Sequence, residues 1–138
     1  HLSEIEQELS LAAGVPVVIQ FTPHLIPVNR GIATTICAAP KETVRDAAGA
    51  GTLTQTIAAS YRAAYQNEPF VRLLEGKCLP DTKNVVGTNF IEIAWRVDPR
   101  TGHVLLLSAE DNIVKGASGQ AVQCFNVACG FPETTGLL

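Results

Sequence analysis

The sequence contains no methionine, a single tryptophan and two tyrosines. Without a methionine there is no translation start, so we expect the chain to be an excised part of a longer protein. No apolar segment follows a basic start, which excludes a secretory or transit pattern. No apolar run comes near the roughly 20 residues that a membrane-spanning helix needs. Basic clusters are also missing: ten Lys and Arg stand against thirteen Asp and Glu, for a net charge of −3. Nucleic acid and anionic membrane both require a concentrated positive face, so neither is expected as the main partner. The four cysteines, at 37, 78, 124 and 129, form no C-x-x-C pair, and the three histidines lack zinc-finger spacing, so no metal site is expected. With no export signal, all four cysteines read as reduced thiols. Cys37, Cys124 and Cys129 lie in apolar stretches, where a free cysteine acts as a small hydrophobe. The expectation is a soluble, cytoplasmic, single domain over residues 1–138 whose partner is a small molecule or a protein.

What is present begins with the stretch FTPHLIPVNRG at residues 21–31. Pro23 and Pro27 fix the backbone and remove two N–H donors, so neither a helix nor a central strand fits. A stiff, extended loop remains, presenting His24, Asn29 and Arg30 in fixed order. An arginine followed by glycine suits an anion clamp: the guanidinium fork matches carboxylate or phosphate, and glycine admits close backbone approach.

Ser3 and Glu6 have the spacing of a capping box, and Gly14 closes a helix whose apolar stripe is Ile5, Leu9, Ala12 and Ala13. Residues 16–21 and 32–38, rich in β-branched side chains, read as strands. Residues 41–51 read as a loop or weak helix, and 53–66 as a helix through Ile57, Tyr61, Ala64 and Tyr65. Strands follow at 70–74 and 89–97, and the PRTG turn at 99–102 returns the chain through a strand at 103–107. The segment EDNIVKGASGQAVQCFNVACGF opens as a polar loop and becomes a helix, with Ala121, Val122, Phe125, Ala128 and Cys129 as its expected buried side. This mixture predicts an α+β fold, a mixed and largely antiparallel sheet packed with helices.

Several residues could carry chemistry. His1, just outside a helix N-terminus, suits general acid–base work near neutral pH, with a plain surface histidine as the alternative. Glu4 lies about one turn away and could orient it, although acids in a first helical turn also serve the dipole. His24 and Arg30 form the proline-loop pair. Asn89 follows Gly87 at a strand start, where asparagine often only completes a turn. The motif KGASGQAVQ could aim backbone N–H groups at an anion or cofactor, but it lacks a full G-x-G-x-x-G, and close helix packing is the simpler reading. No cysteine has a convincing nucleophile setting; Cys78 after Lys77 comes nearest.

Taken together these strings resemble the N-acetyl-gamma-glutamyl-phosphate reductase family nearly end to end. HLSEIEQEL looks like the family's H-x-P-E-I-E-Q segment with Ser3 where proline is usual; FTPHLIPVNRGI, YQNEPFVRLL, TKNVVGTNF and DNIVKGASGQAVQ follow in order. The resemblance implies the C-terminal catalytic and dimerisation domain, similar to that of glyceraldehyde-3-phosphate dehydrogenase. It implies a further N-terminal Rossmann domain holding NADP and the nucleophilic cysteine, a small acyl phosphate as substrate, and a homo-oligomer, dimer or tetramer. By the same resemblance His1 is the acid–base histidine, Arg30 and His24 bind acidic groups of the substrate, and Glu4 and Asn89 position neighbours. Asn112, Gly116 and Gln120 would lie near the cofactor, and residues 110–130 would pack back on the Rossmann domain. The isolated chain is then expected to be inactive. A related acyl-phosphate reductase of lysine biosynthesis, or a non-catalytic module associating through the 89–107 hairpin, are the alternatives.

Overall fold

The computed structural model describes residues 1–41 and 50–138; the expected loop or weak helix at 41–51 falls almost wholly outside them. Helix α1 (Leu2–Ala13) starts two residues earlier than a Ser3 cap would allow, with His1 at the N-cap and no side-chain capping bond. The expected capping box does not form because Glu6 is used elsewhere: its Oε1 accepts from the Ile19 N–H at 3.0 Å. Ser10 Oγ accepts from the Val17 N–H at 2.9 Å. Gly14, at φ 68°, ends the helix as expected and donates its N–H to Ser10 O.

These two bonds also explain why residues 16–21 are not a strand. Alternate N–H groups of an extended segment are taken by side chains of α1, so no ladder forms. Helix α1 contains no buried residue. The segment after it leaves Val18 (86%) and Leu25 (103%) open to solvent.

The centre of the fold is a four-stranded sheet in the order β1-β4-β3-β2. Its strands are β1 (Ile32–Ala38), β2 (Val71–Leu74), β3 (Ile91–Val97) and β4 (Val104–Glu110). The β1/β4 and β3/β4 pairs are antiparallel and β2/β3 is parallel, the mixed and mainly antiparallel sheet that the sequence predicts. β4 runs three residues further than expected, through Ser108, Ala109 and Glu110, because β1 and β3 both pair with it along its whole length. The 89–107 hairpin therefore lies inside the sheet: β4 is paired on both sides along its length, and β3 is covered by β2 over Ile91–Ala94.

Helix α2 (Ala50–Tyr65) crosses one face. Leu53, Ile57 and Tyr61 recur at helical spacing, and the Tyr61 ring stacks on Trp95 with centroids 5.1 Å apart. Register places Leu106 opposite Trp95 and Val104 opposite Val97 on that face. On the other face Ala94 and Ala109 are fully buried, and the buried Glu92 accepts from the Asp81 N–H at 3.1 Å. That bond holds the short 3₁₀ turn Thr82–Asn84 against the sheet.

Helix α3 (Gly119–Cys129) inverts the expectation. Its buried residues are Gly119 and Asn126, whereas Val122, Phe125 (59%) and Val127 (62%) are exposed. The stripe read as the buried side faces outward because Asn126 Nδ2 donates to Glu133 O and Thr135 O, turning the polar side inward. All four cysteines are free and exposed, so none acts as a core hydrophobe here.

Candidate functional site

Sheet register builds the site. β4 ends at Glu110, opposite Ile32 of β1 on one side and Ile91 of β3 on the other. Continuing β1 and β4 by two residues and β3 by four brings three segments together: Arg30 and Gly31, Gly87 to Phe90, and Asp111 with Asn112. Asp111 lies at the junction, fully buried. Its Oδ2 accepts from Gly87 N–H at 2.7 Å. Its Oδ1 accepts from the N–H groups of Ile113 and Val114, at 2.7 and 3.0 Å. Arg30 Nη1 stands 3.5 Å from Oδ2. Burial pushes this carboxyl upward, but the three N–H donors and the Arg30 charge outweigh it and hold Asp111 below the ordinary carboxylate range. Next to it, Asn112 Oδ1 accepts from Gly31 N–H at 2.8 Å. The dipeptide Asp111–Asn112 thus grips the dipeptide Arg30–Gly31.

Gly31 is required on two counts. Its φ is 108°, and a Cβ there would sit 2.8 Å from the side chain of Thr82. After Asp111 the chain makes a π-helical turn (Val114–Ser118) before α3, a feature that recurs at functional sites. Gly116 N–H donates to Asp111 O inside this turn. The N–H groups of Ile113 and Val114, at its start, thus already meet the Asp111 carboxylate.

Behind the turn lies a second polar group. Asn89 is buried and donates from Nδ2 to Gln123 Oε1 at 2.8 Å. Lys115 Nζ donates to Gln120 Oε1 and Gln123 Oε1, both at 2.8 Å. Gln123 Nε2 in turn donates to Glu133 Oε1 at 2.6 Å. Burial lowers the Lys115 pKa, opposed by the charges of Glu110 and Glu133. Burial likewise raises that of Glu110, opposed by Lys115. Asn89 Oδ1 has no hydrogen-bond partner and faces Gly119, where a built Cβ would collide with that oxygen and with Val114. Gly119→Ala is therefore expected to cost about 1–3 kcal/mol, read as a lower denaturant midpoint. A wild-type midpoint would mean that α3 does not pack this closely on Asn89.

The expected site residues separate into two groups. Arg30, Asn89, Asn112, Gly116 and Gln120 gather around the end of β4. His1 and Glu4 sit on α1, exposed, with the α-amino group of His1 3.3 Å from Glu4 Oε2. His24 is exposed on the extended segment. Among the described residues, no hydrogen bond or ion pair joins His1, Glu4 or His24 to the β4 group. Sequence reading missed Asp111, Lys115 and Gln123. An aspartate shortly after the apolar run at 104–107 and before a small-residue turn was the available signal, since it is the residue type that caps free N–H groups.

Residues 1–112 match the family model described as the semialdehyde dehydrogenase dimerisation domain. An N-acetyl-gamma-glutamyl-phosphate reductase from Akkermansia muciniphila is 56% identical over 137 residues, 99% of this chain and 37% of its own length. Enzymes of the same name from Citrifermentans bemidjiense and Pelotomaculum thermopropionicum are each 53% identical over the same share. The chain thus spans about 37% of the length of the curated relatives it matches. No helix among the described residues is long and apolar enough to cross a membrane.

Proposed function

Because this chain belongs to the semialdehyde dehydrogenase dimerisation-domain family, we propose that it is the C-terminal part of an NADPH-dependent reductase of arginine biosynthesis. The reaction is conversion of N-acetyl-L-glutamyl 5-phosphate to N-acetyl-L-glutamate 5-semialdehyde, in the cytoplasm. The observation that carries the reading is Arg30. Its side chain is 38% exposed and pairs through one nitrogen with a carboxylate that is fully buried, with no other acceptor on it among the described residues. That is a cation held in place with free N–H groups for an anionic substrate.

In this reading Arg30 and His24 hold the acidic groups of the acyl phosphate, and His1 carries protons to and from the thiol and the reacting oxygen. Glu4 orients His1, while Asn89 fixes the start of β3 against α3. The nucleophilic cysteine belongs to the portion of the relatives that this chain does not span. NADPH supplies hydride when bound. The chain offers it Gly116, the Asn112 Nδ2 group and the Gln120 amide; among the described residues Asn112 is bonded at Oδ1, and Gln120 is held by Lys115 and by a 3.4 Å contact to Cys124. The outward apolar side of α3 is the surface we assign to the N-terminal Rossmann domain. The uncharged outer edge of β1, exposed at every residue, suits homo-oligomerisation, since such an edge is seldom left uncovered.

The test is phosphate-dependent reduction of NADP⁺ by N-acetylglutamate semialdehyde in the full-length protein. Turnover is expected there and none in the isolated chain. Turnover by the isolated chain would remove the need for an external nucleophile. Preference for the one-carbon-longer amino-adipate substrate would move the enzyme to lysine biosynthesis.

A further inference from the structure

Arg30 is not held by its own loop. Pro27 and the turn closed by Val28 N–H to Ile26 O bring the backbone to it, but among the described residues its side chain pairs only with Asp111, 81 residues later. Asp111 is unusual in what surrounds it. Its two oxygens collect three backbone N–H groups from two segments, Gly87 on one side and Ile113 with Val114 on the other. Those bonds leave the carboxylate one orientation, and Oδ2 is the oxygen facing Arg30. The neighbouring residue fixes the Arg30–Gly31 backbone through Asn112 Oδ1. The strand end therefore fixes the backbone that carries Arg30 and supplies the acid that faces its Nη1 nitrogen.

We propose that Asp111 is the positioning residue for Arg30, a buried carboxylate that aims the guanidinium at the anionic group of the substrate. This rests on the reductase reading above. Asp111 touches no substrate and acts through Arg30. An acid that merely stabilised the turn would affect substrate and cofactor alike, and one that aims Arg30 affects the anionic substrate, acyl phosphate or semialdehyde, and not the cofactor.

The experiment uses the full-length reductase with Asp111→Asn, Arg30→Gln and the double variant. Asparagine keeps the shape and one acceptor but loses the charge. Asp111→Asn is expected to raise KM for N-acetylglutamate semialdehyde about 10-fold, the change that about 1.4 kcal/mol produces, with KM for NADP⁺ unchanged. The double variant is expected to show no higher KM than Arg30→Gln alone, because the two residues act as one unit. Equal increases in both KM values, or multiplying effects in the double variant, overturn the proposal. Should Asp111→Asn fail to fold, arginine side-chain nitrogen NMR of the wild type decides. A guanidinium restricted in rotation without substrate is expected, and free rotation overturns the assignment. A wild-type enzyme inactive on this substrate removes the reductase reading itself, an outcome separate from either of these.

Discussion

On the proposed function, asparagine in place of His1 is expected to lower turnover of the full-length protein by about 10²- to 10⁴-fold, the range lost with a general acid–base group. The structure makes this substitution unusually clean. His1 is the N-cap of α1, yet its side chain makes no capping bond, and asparagine is among the best residues at that position. Helix α1 should hold or gain stability, so lost activity reports proton transfer and not unfolding. The full-length protein is the right setting for a further reason: in the isolated chain the α-amino group of His1 is paired with Glu4, which a peptide bond at that nitrogen would release. Activity that survives the change, with an unaltered melting temperature, would take His1 out of the chemistry and leave Arg30 as the main functional residue of this chain. A parallel Glu4→Gln variant is expected to lower turnover less, because in the proposed reading Glu4 orients the imidazole and carries no proton itself.

The secondary structure was legible where periodicity and burial agree. β1, β3 and α2 follow their patterns closely, since Trp95, Ile57 and Tyr61 are apolar at the period of their own element. Where a polar side chain redirected the backbone, the sequence misled. Glu6 and Ser10 satisfied N–H groups that would otherwise have formed a strand. Asn126 turned α3 over, so its apolar stripe faces outward. No period in the sequence reports such long-range bonds. The site was half legible for a similar reason. Arg30 could be singled out from its glycine and prolines, but its partner lies in another strand and only the β1/β4 register joins them. Asn112 and Gly116 were assigned from resemblance; the structure adds what their atoms already hold, Gly31 N–H and Asp111 O.

Trp95→Ala should then cost about 3–5 kcal/mol, the range for truncating a large buried aromatic. A small domain has only about 5–15 kcal/mol to lose. Trp95 is 5% exposed and sits on β3, which is paired on both sides. Its ring lies nearly parallel to Tyr61, at 17°, so it also seats α2. Because it is the sole tryptophan, unfolding has to be followed by far-ultraviolet circular dichroism. Tyr61→Ala is expected to lose less by itself and to add little to Trp95→Ala, since the stacked pair vanishes with either ring. The same contact gives an alkaline signature. Burial, and secondarily the charge of Tyr65, raise the Tyr61 pKa above the ordinary tyrosine value. The folded state therefore keeps a proton that the unfolded chain has released, and stability present below the ordinary value falls as pH rises through the folded one. Tyr61→Phe should flatten that decline while leaving stability at neutral pH nearly unchanged. A Trp95→Ala midpoint within about 1 kcal/mol of wild type would place the core elsewhere. The end of β4 would then owe its position to Asp111 and its hydrogen bonds instead of to the sheet beneath it.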